Sequence, residues 1–474
     1  MDFEARMHEV EQEIVSRRPE HSVEVDLALD RVAELVALLG DPQRACPVIH
    51  ITGTNGKTST ARMTDALLRS RGLRTGRFTS PHLVSITERI CVDGAPIDPE
   101  RFVAAYEEVI PYVQLVDARH PVEMSFFEVL TGMAFAIFAD TPVDVMILEV
   151  GVGGQDDATN VADGAVAIVT PISLDHTRLL GGTIEEIAAQ KAGIIKPEAV
   201  AVLAQQPLAA AEVLLRRVAQ VGASVAREGV EFGVMSREQA VGGQQLVLRG
   251  LRGTYDDIYL PLFGGHQAGN AACALAAVEA FAGVSDEADA LDADLVREAF
   301  AMVSSPGRLE VVRRSPTIIL DAAHNPAGMA ATAAAIEEAF TFTHLTGVFA
   351  ASRDKDVRGM LSELEPLLDE VVVTHNSSDR SMEPGQAAEI AADIFGEDRV
   401  RSAAGIEDAI EAAVALADEA VEAGLPGGSG VLITGSVITA GDARKLLGPA
   451  GGMPQPEPTA SQPARHSFTA GELS

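Results

Sequence analysis

The chain of 474 residues contains no tryptophan, only four tyrosines and only five lysines, Lys57, Lys191, Lys196, Lys355 and Lys445, against 31 arginines. Aromatic residues make up 4% of it and hydrophobic residues 47%, so its cores must be built from Ala, Val, Leu and Ile, which suits α/β layers. Basic charge is also short: 36 Lys and Arg stand against 69 Asp and Glu, a formal net charge of −33. That balance argues against a nucleic-acid partner, whose phosphates demand a basic surface, and means that an anionic substrate would need a locally basic pocket. Cys46, Cys91 and Cys273 lack metal-ligand or redox spacing, imply no disulfide framework, and fit reduced thiols in a cytosol. Long hydrophobic runs are missing too. The longest, around Phe126 to Ala139, is too short to span a bilayer, and the charged N-terminal stretch has no apolar signal-type segment. A soluble cytoplasmic protein with no membrane partner is expected.

What is present is a rhythm of short β-rich runs and helical patterns. VIHIT, RTGRFT, VDVMILEV, AVAIVT and AVAVLAQ alternate with helical stretches from about residue 47. At about 229–262 three runs joined by short turns, EFGVMS, QQLVLRG and TYDDIYLPL, interrupt the rhythm. It restarts with TIILDAAHNP, LTGVFAAS, VVVTHNSS and VLITGS. The length calls for more than one core. The expected organisation is a larger α/β domain over 1–303, with a parallel sheet, and a smaller α/β domain over 304–447. A Pro-, Gly- and Ser-rich tail, expected to be disordered, covers 448–474.

The segment VIHITGTNGKTSTARM places an apolar strand before Gly53-Thr54-Asn55-Gly56-Lys57-Thr58 and a helix after it. This is a phosphate cradle: glycines let backbone N–H groups converge on phosphate oxygens, Lys57 can reach the terminal phosphates, and Thr58 can approach Mg²⁺. Ile51 stands where the first glycine of the common P-loop would be, so the loop is a shorter variant. A Gly-rich turn with an incidental lysine is the plain alternative. The strand VDVMILEV delivers Glu149 at its carboxyl end, before the flexible Gly151-Val152-Gly153-Gly154 loop, where a carboxylate can hold Mg²⁺ or simply be solvated. His176 falls at the same sheet edge as a metal ligand, a supporting donor or a structural histidine.

Thr183 opens a helix with Glu185 and Glu186 in its first turn, on which Ile184, Ile187, Ala188 and Lys191 share the apolar face. Burial there lowers an ammonium pKa, and a neutral amine can add CO₂ to become an anionic carbamate ligand. The alternative is a lysine whose head snorkels to water. In the second half Asp321 and His324 follow an apolar strand, and Arg308 lies upstream; Asp321 could equally cap the helix opening at Pro326.

Together these stretches resemble the folylpolyglutamate synthase and dihydrofolate synthase family of the Mur ligase superfamily. The resemblance covers about residues 22–447 and rests on ITGTNGKTS, FTSPHL, ERI, SFFE, LEVGVGG with DATN, DH before LLGGT, KAGIIKP, GGHQAGNA, PGRLE and DAAHNP in that order. It implies a P-loop-type ATP-binding domain over 1–303 and a Rossmann-like domain over 304–447, ATP and two Mg²⁺ ions as cofactors, with K⁺ a further candidate, and a monomer acting on dihydropteroate, folates and L-glutamate. Carried over, Asn55, Gly56, Lys57 and Thr58 become the triphosphate cradle, Ser80 and Glu149 hold one Mg²⁺, and His176 with carbamylated Lys191 completes a second metal site. Asn270, Arg308 and Asp321 become ATP contacts, and His324 lies near glutamate and the transferred phosphoryl group. Ser125, Phe126, Phe127 and Asp26 of VDLALDR fall to the pterin region. One departure stands out: Gln155-Asp156 precede DATN where the family usually has Arg and an apolar or aromatic residue, which bears on substrate affinity.

A carboxylate is a poor electrophile, so amide formation requires its activation as an acyl phosphate, a step that needs positioning and charge neutralisation. The competing readings are a cell-wall Mur ligase, against which SPHL and KAGIIKP argue, and a catalytically silent nucleotide-binding regulator.

Overall fold

The computed structural model describes residues 3–17, 29–284, 290–422 and 428–448. Asp26, and the tail beyond Gly448, lie outside the described residues. Val48–Thr52 forms β1 with all five residues buried, as in a central parallel strand covered on both faces, and its two polar members, His50 and Thr52, are bonded to Thr159 Oγ1 and Gly153 O. The helix Lys57–Ser70 follows, with Gly56 before it at φ 93°. A Cβ on Gly56 would fall on the Asn270 Oδ1 atom, so both conformation and close approach require glycine.

The next strands in chain order are β2 (Thr75–Phe78), β3 (Ile90–Val92), β4 (Ala95–Pro96), β5 (Val145–Glu149), β6 (Gly164–Val169), β7 (Val200–Leu203) and β8 (Ser224–Arg227). They order as β4-β3-β2-β5-β1-β6-β7-β8, parallel except for β3 and β4 at one edge. The chain leaves β1 toward β2 on one side and later crosses to β6 on the other. The carboxyl ends of β1, β5 and β6 therefore meet at a topological switch point, where open α/β sheets take ligands.

An antiparallel meander of β9 (Gly233–Ala240), β10 (Gly243–Arg249) and β11 (Thr254–Leu260) shares one core with this sheet through the helix Gly265–Val284. Ala271, Ala272, Ala274, Ala276 and Ala277 are all buried there, and their small side chains let the helix approach both neighbours closely. The Gly151–Gly154 loop is not the flexible segment its composition suggested. Asp157 Oδ2 accepts the N–H groups of Gly151 and Val152 at 3.0 and 3.1 Å and ties it down.

The second α/β unit holds β12 (Glu310–Arg314), β13 (Thr317–Leu320), β14 (Phe342–Phe349), β15 (Glu370–Val373), β16 (Val400–Ser402) and β17 (Gly428–Thr434), ordered β12-β13-β17-β14-β15-β16. Only β12 is antiparallel to its neighbour. The helices Pro326–Ala339, Val357–Leu364 and Pro384–Phe395 pack on one face, and Ile406–Glu422 and Val437–Leu447 on the other. Leu83, from the loop after β2, inserts among Ala322, Val437 and Ala440 of this unit. No helix among the described residues is long and apolar enough to cross a membrane.

Candidate active site

The cradle is anchored before any ligand is considered. Thr54 Oγ1 donates to Ser173 O at 3.1 Å and accepts from Ser173 N at 3.0 Å, fixing the loop to the segment after β6. Lys57 folds back, its Nζ 3.2 Å from both Gly53 O and Thr54 O. Thr58 Oγ1 lies 3.0 Å from each carboxylate oxygen of Glu149, which also accepts the Ser80 N–H at 3.3 Å. Glu149 is 1% exposed. Burial pushes its carboxyl pKa up, against the opposing pull of Lys57 and the Thr58 hydroxyl. A buried carboxylate so weakly compensated, beside two hydroxyl-bearing side chains, has the oxygen-donor chemistry that suits Mg²⁺.

Lys191 does face inward. Its helix, Ile184–Ala192, opens with a capping box between Thr183 and Glu186, and the side chain is buried at 4% exposure with Nζ donating to Gly53 O at 2.8 Å. Burial, joined by the charge of Lys57, pushes its ammonium pKa down to about 7, although Asp175 and Asp157 pull the other way. The snorkelling alternative is thereby ruled out. Among the described residues no group of three His, Cys, Asp or Glu side chains is arranged to hold a metal. A second ion in this cleft would depend on the Lys191 carbamate.

His176 sits at φ 49°, its Nε2 3.9 Å from Asp175 Oδ2. Asp175 itself is the hub between the two units. It takes Lys355 Nζ at 2.5 Å, Asn325 Nδ2 at 3.3 Å and His324 Nε2 at 3.5 Å, all from the second unit. Burial would raise its pKa, yet the His324 hydrogen bond and the charges of His176, His324 and Lys355 hold it below the usual carboxylate range. Beside it, Asn55 and Asn325 exchange two amide hydrogen bonds, 3.2 and 3.1 Å. Sequence reasoning passed over Asp175, Asn325 and Lys355 as site residues. The scarcity of lysine, and the DH and DAAHNP motifs that contain the other two, were the available signals.

The remaining expected residues are placed less uniformly. Asn270 is buried against the cradle at Gly56, and its Nδ2 donates to Gln267 Oε1 at 3.2 Å. Arg308 lines a pocket beside Thr58, and among the described residues its guanidinium bonds only Gly307 O, at 3.1 Å. Asp321 is not the cap of the helix Pro326–Ala339. Asn325 caps it through Gly328 N, while the Asp321 carboxylate is taken by Leu309 N, Ala323 N and the Thr332 hydroxyl, further along the same helix. Ser125 caps the helix Phe126–Asp140, Phe127 packs on Phe78 with ring centroids 5.5 Å apart, and Phe126 lies under the Arg89 guanidinium at 4.8 Å. Glu128, which completes that capping box, is paired with buried Arg31 at 3.0 Å. Gln155 is exposed, with its backbone packed on Gly193.

Comparison with known proteins bears on this cleft directly. Residues 117–278 match the Mur ligase middle domain, and residues 307–437 match the domain described as Mur ligase, glutamate ligase domain. The chain is 51% identical over 462 residues to the dihydrofolate synthase/folylpolyglutamate synthase of Mycobacterium tuberculosis, covering 94% of each. The chain belongs to the dihydrofolate synthase/folylpolyglutamate synthase family. Solved structures of the family agree. The Mycobacterium tuberculosis folylpolyglutamate synthase complexed with ADP superimposes with a TM-score of 0.90 at 52% identity, over 94% of this chain and 99% of that one. An Escherichia coli relative in complex with DHPP and ADP gives 0.79 at 28% identity, over 94% and 97%. This member of the family thus has the two-unit Mur ligase fold, with its nucleotide-binding unit N-terminal.

Proposed function

We propose that this protein is the ATP-dependent ligase that adds L-glutamate both to dihydropteroate and to the glutamate tail of a tetrahydrofolate, through an acyl phosphate, releasing ADP and phosphate. The observation that carries this reading is convergence on one loop. Residues Gly53–Thr58 touch Glu149 through Thr58, Lys191 through the Gly53 carbonyl, and the second unit through Asn55 and Asn325. The ADP and AMPPCP complexes of relatives support ATP as the nucleotide. The family membership favours folate substrates over the cell-wall substrates of other Mur ligases.

In this reading the cradle amides of Asn55, Gly56 and Thr58, with Lys57, bind the triphosphate, and Asn270, Arg308 and Asp321 serve the nucleotide from the hinge and second unit. Glu149, Ser80 and Thr58 would hold one Mg²⁺, and His176 with a carbamate on Lys191 a second. The metal supplies charge neutralisation at the phosphates. K⁺ has no support beyond the resemblance. The substrate carboxylate attacks the terminal phosphorus, the bond to the bridging oxygen breaks and ADP leaves, with Lys57 and Arg308 opposing the negative charge that gathers there. His324 then stands where the amine of glutamate must approach, the acyl carbon forms its amide bond, and phosphate leaves. The cross-cleft bonds of Asp175 and Asn55 hold the halves together and exclude water from the acyl phosphate. The pterin ring is assigned to the region of Ser125, Phe126 and Phe127. We further propose units spanning 1–303 and 304–447 in a cytoplasmic monomer.

The test is an assay of purified protein with ATP, Mg²⁺ and glutamate, offering dihydropteroate and monoglutamylated tetrahydrofolate separately. Glutamate-dependent ADP release is expected with both. Release with one alone reduces the enzyme to a single activity, and release with neither refutes the reading.

A further inference from the structure

Thr58, Arg62, Leu83, Glu88, Arg308 and Val437 are among the residues lining a pocket between the helix Lys57–Ser70, the loop after β2 and the second unit. Its charge balance is unusual. Glu88, the only carboxylate in the lining, is already taken by the backbone N–H groups of Leu83, Val84 and Ser85 at 2.9, 3.0 and 2.9 Å. Arg62 reaches only Ser304 O, at 3.5 Å, and Arg308 only Gly307 O. Among the described residues neither guanidinium has an ion-pair partner, in a chain with almost twice as many acids as bases. Other arginines do find carboxylates, as in Arg31–Glu128, Arg237–Glu338 and Arg444–Glu310, while Arg249 and Arg313 also reach only backbone carbonyls among the described residues but line no such pocket. Two converging guanidinium groups without a counter-ion repel one another until an anion lies between them. Burial, with the charges of Arg77 and Arg308 added to it, pushes the Arg62 pKa down to about 10, although Cys91 and Glu88 pull the other way.

The position of Arg62 says which anion. It stands four residues past Thr58 on one helix, so it shares Thr58's face and lies about 6 Å further along the axis. The carboxylate to be activated must meet the phosphate at Thr58. A second carboxylate on the same substrate, on the order of 5 Å away in an extended glutamate, would then fall at Arg62. Folates end in a glutamate, with an α-carboxylate beside the reacting γ-carboxylate. Dihydropteroate ends in a benzoate and has no second carboxylate. Resting on the ligase reading above, we propose that Arg62, with Arg308 beside it, binds the α-carboxylate of the folate's terminal glutamate and is a specificity-determining residue for tail extension alone.

The experiment compares Arg62→Gln and Arg62→Lys with the unaltered chain in both reactions, and measures equilibrium binding of folate and pteroate, which differ only by the glutamate. Arg62→Gln should raise KM for monoglutamylated tetrahydrofolate by about 10- to 100-fold, and leave KM for dihydropteroate, ATP and glutamate within about twofold. It should also erase the preference for folate over pteroate, with Arg62→Lys intermediate. A raised KM for glutamate in both reactions would instead give the pocket to the incoming amino acid and overturn the proposal. An equal loss in both reactions with a lowered Tm would make Arg62 structural and overturn it too. If the unaltered chain turns over neither substrate the ligase reading itself fails, whereas an unaltered folate preference in Arg62→Gln defeats this proposal alone.

Discussion

Replacing Lys191 by methionine keeps the length of the side chain and removes the amine, which separates what the amine does for catalysis from what it costs the fold. The lysine's pKa moves from 10.5 to about 7 on burial. That difference of about 3.5 units corresponds to roughly 5 kcal/mol of destabilisation at about 1.36 kcal/mol per unit. The hydrogen bond to Gly53 O, lost in the variant, returns about 1 kcal/mol. Lys191→Met should therefore be more stable than the unaltered chain near pH 7, by roughly 3–4 kcal/mol.

The sign with pH follows from where the proton sits. Below about pH 7 both folded and unfolded chains hold it, and the full cost of a buried ammonium applies. Between about 7 and 10.5 the unfolded chain holds a proton that the folded one has released, so stability of the unaltered chain rises with pH. Above 10.5 both are neutral and the cost is gone. The advantage of Lys191→Met should shrink by about 2.3 kcal/mol between pH 7 and pH 9, since the folded amine is half deprotonated already at pH 7. Urea unfolding of both proteins at the two pH values, in CO₂-depleted buffer, measures this. ADP formation in bicarbonate should be nearly abolished in the variant, and native mass analysis should find one added CO₂ only in the unaltered chain. A stability difference that does not change with pH would refute the burial argument, and a free amine in an active enzyme would refute the carbamate.

Glu149→Gln should abolish ADP formation while leaving Tm within a few degrees, because burial already disfavours the charge it removes; turnover retained at saturating Mg²⁺ would defeat the assignment. Gly441→Ala would put a Cβ onto the Leu83 carbonyl oxygen, so it should lower kcat/KM about tenfold or more by holding the second unit away from the loop after β2. Unchanged kinetics would show that this contact does not set the cleft. Gln155→Arg adds positive charge in an exposed loop and should lower KM for the pterin or folate substrate without changing Tm; an unchanged or raised KM would show that the loop has been rebuilt around Gln155.

The central strands were legible because β1, β5, β6 and β7 are buried, mostly apolar runs, and a run covered on both faces needs no periodicity to be recognised. Short edge strands were not. β4 has two exposed residues and β8 is half exposed, and their pairing is decided by neighbours distant in the chain. Lys191 was legible as inward-facing because helical spacing and the Thr183 cap fixed its phase. The partners of Asp175 were not, since Lys355 is 180 residues away and only the docking of the second unit brings it within 2.5 Å. Ser125 carries a structural role that the sequence also spelled out. S-x-x-E is a capping box in its own right, and the structure spends the hydroxyl on the Glu128 N–H.

Composition posed one demand that the structure meets in a particular way. A chain of net charge −33 repels anions at long range, yet its substrates carry phosphates and carboxylates. Surface repulsion is screened beyond about 8 Å at physiological salt, so cations packed around a cleft can outweigh it at contact distance. Three of the five lysines, Lys57, Lys191 and Lys355, lie at the cradle or across from it, and Arg62 and Arg308 complete the set. Lys355 is held by the Asp175 carboxylate, and Lys191 is set apart by the burial that pushes its ammonium pKa down to about 7. The other three, like Lys191, have only carbonyl oxygens as partners among the described residues. The basic pocket is therefore divided between cations that build the cleft and cations left available to its anions. That division separates substitutions expected to alter the fold from those expected to alter only what it binds.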